Sequence, residues 1–334
     1  MDGLDATRSV GKTRLSLGPL GMGVAPLGNL YSRVSDEDAA ATLAAAERSG
    51  VHWFDVAPLY GLGLAEQRLG RFLAQSNDAR RIVSTKVGRV LEPSSQMQTH
   101  DHFVEPLNYT PKFDYSRAGI ERAYDESLRR LGVDRVQMLL LHDVDRLSHA
   151  SGHRALVKQL LDEALPALHR LKSQGRVDAI GLGVCEWDIG YEILASAEID
   201  CILLAGRYTL LDHTAFTSGF LDACVRRQVS VLAGGVLNSG FLAGGSTYDY
   251  HAAGELLVRR RDELVSICAR HGVALPAVAF QFTAAHPAMT SVLVGARSAQ
   301  EIDSILEWQR AKIPPQLWDD LRLASIPRDS PTPN

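Results

Sequence analysis

Residues 51–70 read VHWFDVAPLYGLGLAEQRLG, which is the layout of one strand, one turn and one helix. The apolar run VHWF predicts a short buried strand that ends at Asp55. Tyr60 follows on a turn in which Gly61 and Gly63 allow backbone conformations that other residues rarely adopt. A phenol at the mouth of a strand, beside a buried acid, suits proton-transfer chemistry.

The same strand-then-helix pattern recurs along the chain. The predicted strands are 17–21, 51–54, 82–85, 137–141, 179–184, 201–204, 229–233 and 291–294. An amphipathic helix follows each of them, and two further helices are predicted at 276–285 and 316–324. Eight such units in 334 residues predict an α/β fold, a (β/α)8 TIM barrel with extra C-terminal helices, for which ~250 residues plus insertions is typical.

A doubly wound sheet is the alternative fold. Its dinucleotide fingerprint would be G-x-G-x-x-G between the first strand and a helix, but the glycine-rich segment at 18–28 ends well before the next helix begins at Asp36. No linker rich in Pro, Gly or Ser divides the chain, so residues 1–334 are predicted to form one domain. A long polar loop, 91–114, follows the third strand on the catalytic side of a barrel, either as a substrate lid or as a passive excursion.

Charge and composition exclude several function classes. The net charge of -4 argues against nucleic acid or an anionic membrane as a partner. No apolar run approaches the roughly 18–20 residues that span a bilayer, and the N-terminus lacks the apolar core of a signal peptide. Without C-x-x-C spacing, the four cysteines indicate reduced thiols in a cytoplasmic protein: Cys185, Cys201, Cys224 and Cys268. No metal is expected, since His100 and His102 lie in a polar loop without partner cysteines.

Four polar residues are predicted to meet at one rim of the barrel. Asp55 ends the second strand and Tyr60 follows on its loop, while Lys86 ends the third strand and His142 the fourth. Each alone would be an ordinary polar strand end. Because the carboxyl ends of barrel strands share one face, the four side chains should converge.

These motifs resemble the aldo-keto reductase family over nearly the whole chain. FDVAPLYG is similar to the family's segment with Asp and Tyr, STK to its lysine strand and LLLHD to its histidine strand. The resemblance implies that Tyr60, Lys86, Asp55 and His142 are catalytic, and that hydride moves between the substrate and NAD or NADP.

The residue types fit that chemistry. Free tyrosine has a pKa of about 10, so it is a poor base at neutral pH. The Lys86 ammonium is expected to favour the phenolate of Tyr60, and Asp55 to hold that ammonium in place. Tyr60 would then take a proton from an alcohol or give one to a carbonyl, while His142 orients the substrate oxygen.

The resemblance also implies cofactor contacts. Residues 183–187 read GVCEW where the family commonly has GVSNF, so Cys185 and Glu186 stand where Ser and Asn bind the nicotinamide amide. Tyr208 matches the tyrosine that stacks on the nicotinamide ring, and Ala205 stands in place of the family's usual glutamine. The other implied contacts are Gly23 and Val24, the pyrophosphate loop with Gly235, Leu237, Asn238, Ser239 and Gly240, and the adenosine segment with Gly295, Ala296, Arg297 and Glu301.

The adenosine segment favours NAD over NADP. Members that prefer NADP commonly carry Lys or Arg where this chain has Gly295 and Glu301. Arg297 can reach a 2′-phosphate, but Glu301 and Asp303 repel one, and ~1 kcal/mol of repulsion shifts the preference severalfold.

Further stretches, including GLGVCEW and GGVLNSG, resemble the branch of NAD-linked aldose dehydrogenases for L-fucose, L-galactose and D-threo-aldoses, together with pyridoxal 4-dehydrogenase. That resemblance implies oxidation of the ring hydroxyl of a cyclic hemiacetal to a lactone. Asn29, Tyr31, Phe103 and Trp187 are the candidate substrate contacts. A general aldehyde or ketone reductase and a non-catalytic regulatory subunit stay open as alternatives. The chain is expected to be a monomer or a weak homo-oligomer.

Overall fold

In a computed structural model that describes residues 7–75, 78–96 and 102–333, eight parallel strands close into a barrel. The strands are β1 (Leu20–Gly23), β2 (Trp53–Asp55), β3 (Ile82–Val87), β4 (Met138–His142), β5 (Ala179–Val184), β6 (Cys201–Ala205), β7 (Ser230–Gly234) and β8 (Met289–Gly295). Each strand pairs with its successor, and β8 pairs with β1 to close the barrel. The predicted (β/α)8 architecture is confirmed.

Helices surround the barrel and complete the predicted alternation. The longer helices are Asp36–Arg48, Leu64–Leu73, Arg117–Leu131, His153–Gln159 (continued by Leu160–Ala164 and Leu165–Ser173), Trp187–Ser196, Phe220–Arg227, Glu255–Arg270, Leu275–Ala284, Ala299–Arg310 and Pro315–Ala324. Within the described ranges no single helix is long and apolar enough to cross a membrane, although the bent pair Glu255–Arg270 and Leu275–Ala284 meets that criterion when taken together.

The first strand lies later in the chain than predicted. Residues Arg8–Ser9 and Ser16–Leu17 form an antiparallel hairpin, and the barrel strand begins only at Leu20. Pro19 separates the two because it has no N–H to donate to a sheet. Val10 and Leu17 are fully buried and belong to the same apolar cluster as Trp53, so the hairpin covers the end of the barrel opposite the predicted site.

The predicted loop at 91–114 is partly a β-hairpin. Strands Arg89–Pro93 and Tyr109–Phe113 pair in antiparallel fashion, which places ordered backbone where a loop was predicted. Residues 97–101 lie outside the described part of the chain. Between the strands, Phe103 forms a β-bridge with Leu30, on the segment that follows β1.

Side chains of the barrel strands alternate between the surrounding helices and the barrel interior, as the strand period of two requires. Met138 and Leu140 belong to the interior cluster, whereas Leu139 and Leu141 pack with the helices. The same alternation places His142 on the interior face at the carboxyl end of β4, and Asp55 and Lys86 at the equivalent ends of β2 and β3.

Candidate active site

A buried ion pair anchors the carboxyl rim of the barrel. Lys86 Nζ lies 2.6 Å from Asp55 Oδ2 and donates a 3.0 Å hydrogen bond to the Val56 carbonyl. Ser84 Oγ donates to Asp55 Oδ1 at 2.7 Å. Both charged side chains are almost completely buried, so each needs the opposite charge of the other to compensate for the loss of water. Gly183 leaves room for the lysine, because a Cβ there would lie 3.2 Å from Lys86 Cε.

Tyr60 lies next to this pair. Lys86 Nζ is 4.8 Å from the centre of the Tyr60 ring, and the His142 ring meets that ring edge-on with centroids 6.0 Å apart. Burial raises the pKa of Tyr60 well above its usual value, and the charges of Asp55 and Asp143 raise it further. Lys86 was expected to favour the phenolate, but its charge is matched by Asp55, so the chain by itself holds Tyr60 as a phenol.

The turn that presents Tyr60 has the backbone conformation predicted for it. Gly61 and Gly63 have φ angles of 62° and 100°, in the region that favours glycine. Space also requires glycine at position 61, because a Cβ there would lie 2.5 Å from the carbonyl oxygen of Gly28. The tyrosine is therefore fixed by its neighbours in the chain and by the segment after β1.

His142 is buried and neutral. Burial lowers its pKa to about 3, so it carries no charge at neutral pH. Its carbonyl oxygen accepts a 2.6 Å hydrogen bond from the Tyr115 hydroxyl, which fixes the end of β4. Among the described residues, His142 Nδ1 has no hydrogen-bond partner. A neutral imidazole in this position can share one hydrogen bond with a substrate oxygen.

Asp143 and Arg89 form a second ion pair at this rim, which our sequence reasoning missed. Arg89 Nη2 lies 2.7 Å from Asp143 Oδ2, and the guanidinium stacks on the Phe113 ring at 4.0 Å. Burial alone would raise the pKa of Asp143, but the neighbouring His142 and Arg89 bring it below its usual value. The motif LLLHD contains this aspartate, and its position beside a strand-end histidine was the available signal.

Cys185 and Glu186 are already engaged within the protein. The Cys185 amide donates a 3.0 Å hydrogen bond to Asp145, and Glu186 accepts a 2.8 Å bond from the Leu147 amide. Burial raises the pKa of the Cys185 thiol, as do the charges of nearby aspartates, so the thiol is protonated. It offers an S–H group where the family's serine offers a hydroxyl.

Tyr208 is placed differently from our prediction. Its ring packs 5.0 Å from Phe282 and 5.4 Å from His286, and the residue is only 4% exposed. Thr283, on the same helix as Phe282, donates to the Tyr208 carbonyl at 3.0 Å. A ring covered in this way has no free face for a nicotinamide, so stacking by Tyr208 is not supported by its geometry.

The loop after β7 has the features of a ligand cradle. Gly235, Asn238, Ser239 and Gly240 all have positive φ angles, and Leu237 packs against the core. Within the described residues, neither amide atom of the buried Asn238 has a hydrogen-bond partner. An unsatisfied buried amide beside turns of this kind fits a polar ligand such as a dinucleotide.

The rim segments after β1 and β8 are neighbours. Gly23 pairs with Gly295 in the sheet, so the two predicted cofactor segments meet. The side chains of Val24 and Ala296 are fully buried, so only their backbone atoms could contact a cofactor. The N–H of Val24 is already donated to the Asp55 carbonyl. The segment's charged residues, Arg297 and Glu301, are partly exposed.

Of the predicted substrate contacts, Asn29 is used inside the protein. Its amide oxygen accepts hydrogen bonds of 3.0 Å from the Val34 amide and from Arg68, and the residue is 3% exposed. That oxygen is not available to a substrate. Trp187 is half-buried at the start of its helix and packs against the core.

Aromatic rings from three loops cover the region around Tyr60. Phe103 lies 6.2 Å from the Tyr60 ring, and Tyr31 lies 6.0 Å from His102. Tyr250 stacks on His102 at 5.4 Å. Sequence reasoning missed His102 and Tyr250 as pocket residues, because only the fold brings the loops after β1, β3 and β7 together.

Among the described residues, one group of possible metal ligands lies away from this site. Glu47, His52 and Asp78 have ligand atoms within 4.8 Å of one another. Both carboxylates are already bonded to arginines, Glu47 to Arg81 and Asp78 to Arg80. His100, considered as a ligand from the sequence, lies outside the described residues.

Residues 19–324 match the model of the aldo/keto reductase family. The chain belongs to this family. Pyridoxal 4-dehydrogenase from Microbacterium luteolum is 38% identical, over 94% of this chain and 96% of that protein. D-threo-aldose 1-dehydrogenase from a Pseudomonas species is 36% identical, over 96% of both chains. L-galactose dehydrogenase from Arabidopsis thaliana is 30% identical, over 89% of this chain and 85% of that one.

Solved aldo-keto reductases share the fold. The holo form of an enzyme from Bacillus halodurans superposes with a TM-score of 0.76 at 21% identity, over 96% of both chains. This aldo-keto reductase is therefore an oxidoreductase close to the aldose and pyridoxal dehydrogenases, in a family that uses nicotinamide cofactors. The alternative of a non-catalytic regulatory subunit is therefore wrong.

Proposed function

We propose that this aldo-keto reductase oxidises the ring hydroxyl of a cyclic hemiacetal to a lactone, with an aldose such as L-fucose or another D-threo-aldose as substrate. The observation that carries the proposal is the convergence of Tyr60, Lys86, Asp55 and His142 at one rim, beneath aromatic loop residues. Aldose dehydrogenases among the relatives, at 30% and 36% identity, support the substrate class.

In this proposal Tyr60 moves the proton. For oxidation, its phenolate takes the proton of the ring hydroxyl while the hydrogen on the same carbon leaves as hydride, so that the C–O single bond becomes a carbonyl. A bound nicotinamide supplies the hydride acceptor. The Lys86 ammonium lies 4.8 Å from the ring centre and is held in place by Asp55, so its attraction for the phenolate offsets only part of the cost of ionising Tyr60 before the reaction. His142 shares a hydrogen bond with the reacting oxygen.

We also propose NAD rather than NADP as the cofactor. Arg297 is already paired with Glu301, with Nη2 and Oε1 2.9 Å apart, and its amide donates to the other carboxylate oxygen at 2.8 Å. A 2′-phosphate would have to displace this carboxylate, whereas a ribose hydroxyl could donate to it. The ratio of kcat/KM for the two cofactors tests the assignment, and a preference for NADP contradicts it.

Pyridoxal is the second candidate substrate, because the pyridoxal 4-dehydrogenase relative is 38% identical over nearly the whole chain. NADH formation should be followed with L-fucose, L-galactose and pyridoxal as substrates. We expect the highest kcat/KM with an aldose. Oxidation of pyridoxal alone would move the assignment to that substrate, and turnover only of acyclic aldehydes with NADH would make the protein a general reductase.

A further inference from the structure

Asp143 is held at the rim in a left-handed backbone conformation. Its φ angle is 51°, and its amide donates a 3.0 Å hydrogen bond to the Gly183 carbonyl across to β5. This conformation is uncommon for residues with a side chain, although aspartate and asparagine adopt it more readily than most. The turn and the hydrogen bond together fix the position of the Asp143 backbone at the end of β4.

The two oxygens of this carboxylate have different surroundings. Arg89 donates to Oδ2 through Nε at 3.1 Å and Nη2 at 2.7 Å. Oδ1 accepts no hydrogen bond from any residue that the structure describes, and it lies 3.6 Å from His142 Nε2, which is too far for a hydrogen bond. Arg89 thus fixes the orientation of Asp143 and leaves one acceptor beside the proposed catalytic histidine.

This carboxylate lies beside the proposed catalytic residues. Its Oδ1 is 3.6 Å from His142 Nε2, at the carboxyl end of β4. Its charge also helps to raise the pKa of Tyr60 and of Cys185, after the larger effect of burial on each group. Tyr60 and Cys185 follow β2 and β5, so the carboxylate belongs to the same rim as the proposed site.

We propose that Asp143 is a specificity-determining residue that accepts a hydrogen bond from the substrate hydroxyl on the carbon next to the reacting carbon. This inference rests on the proposed function. In the proposed function His142 binds the oxygen on the reacting carbon of the sugar. The hydroxyl on the next carbon lies one carbon–carbon bond away, which brings it within reach of Asp143 Oδ1, 3.6 Å from His142 Nε2. Pyridoxal has no hydroxyl on the carbon next to its reacting carbon, so Asp143 favours aldoses.

The test compares a sugar with an analogue that lacks the hydroxyl. Asp143→Gly removes the acceptor, and glycine adopts positive φ angles without strain, so the turn is kept. Asp143→Asn keeps a neutral acceptor, and asparagine also tolerates this conformation. Wild type and both variants are assayed with L-galactose and with 2-deoxy-L-galactose. Asp178→Asn serves as the control, because it removes an arginine-paired carboxylate before β5, at the opposite end of the barrel.

We expect Asp143→Gly to lower kcat/KM for L-galactose by about 10–100-fold, mainly through KM, as for a lost hydrogen bond to a charged group. The kcat/KM of Asp143→Asn for L-galactose should lie between the values of the wild type and of Asp143→Gly. An effect of Asp143 on Tyr60 changes the rates with both sugars alike, so the measure is the ratio of kcat/KM for L-galactose to that for 2-deoxy-L-galactose. This ratio should fall in both Asp143 variants and stay at the wild-type value in the control. Equal losses with both sugars would overturn the inference, because Asp143 would then act only on the shape of the site.

The inference can fail separately from the proposed function. If the wild type does not oxidise L-galactose, the proposed function fails for this sugar, and dissociation constants of both sugars for the NADH-loaded protein replace the rates. Weaker binding of L-galactose alone by Asp143→Gly still supports the contact. Unchanged binding, or no binding of L-galactose by the wild type, overturns it.

Discussion

Tyr60 combines a half-buried phenol with a neighbouring ion pair whose charges nearly cancel. Burial and Asp55 both oppose ionisation, so the pKa of the phenol lies well above its usual value. At neutral pH Tyr60 is protonated and can therefore donate a proton to a carbonyl during reduction. As the base for oxidation it must first lose its proton, which makes the oxidation rate sensitive to pH.

The oxidative kcat/KM should therefore rise about tenfold per pH unit from pH 7 to 9, because only the phenolate fraction is active below the pKa. His142, with a pKa of about 3, should add no change in this range. Tyr60→Phe should lower kcat by about 10²–10⁴-fold and abolish the slope. A fluorescence titration of NAD should give nearly the same Kd for this variant as for the wild type. Retained turnover in Tyr60→Phe, or a flat pH profile in the wild type, would contradict the proton-transfer role.

For individual residues, the sequence best predicts the direction of side chains that lie on strands. The period of two places Asp55, Lys86 and His142 on one face without any knowledge of the loops. Tyr208 and Asn29 lie on connections, where side-chain direction depends on distant residues. Tyr208 turns towards a helix that begins at residue 275, and the Asn29 oxygen bonds to Arg68, so neither outcome is visible locally.

Among the elements, helix Ala299–Arg310 brings its first turn to the proposed adenosine site. Ser298 caps this helix by accepting the Glu301 amide at 3.2 Å. The cap keeps Glu301 in the first turn, where its carboxylate holds Arg297. A cofactor that carries an extra phosphate would meet this carboxylate before it could reach the arginine.

Glu301→Gln should therefore raise kcat/KM with NADP by about 3–10-fold, since it removes a repulsion of ~1 kcal/mol and frees Arg297. The value with NAD should stay the same or fall. Glu307→Gln, on the exposed side of the same helix, is the matched control and should change neither value. If Glu301→Gln leaves the ratio of the two values unchanged, the carboxylate does not set cofactor preference.

The strands and helices of the barrel were predicted well because each has a periodic pattern of apolar residues in its own sequence. The eight strands and their helices repeat one pattern, so errors at the ends do not change the fold. The hairpin Arg8–Ser9 with Ser16–Leu17 and the hairpin after β3 were missed for a common reason. Their strands are short, and their pairing partners rather than their own apolar pattern stabilise them.

For the whole molecule, buried neutral histidines make stability depend on pH. Burial lowers the pKa of His286 to about 4, and its Nδ1 accepts a 3.1 Å hydrogen bond from the Ala288 amide, which requires an unprotonated nitrogen. His142 has a still lower pKa. Both histidines take up a proton on unfolding at pH values between their folded and unfolded pKa values. Their contribution to stability is complete above about pH 6.5 and declines as the pH falls.

The melting temperature should therefore fall between pH 6.5 and pH 4.5. Each histidine lowers the free energy of unfolding by at most about 1.4 kcal/mol per pH unit. His286→Gln should reduce this slope, whereas substitution of the exposed His169 by Gln should not. Calorimetry at several pH values measures the effect, and a slope equal to that of the wild type in His286→Gln would refute it.

The N-terminal hairpin covers one end of the barrel. Since Val10 and Leu17 pack into the apolar cluster at that end, we expect substrate and product to exchange with solvent at the opposite rim, which carries the proposed chemistry. Tyr31 and Tyr250 are exposed rings over that rim, about two-fifths accessible each (39% and 44%). A substrate that enters past these rings and a product that leaves past them make both side chains able to limit turnover without touching a reacting atom.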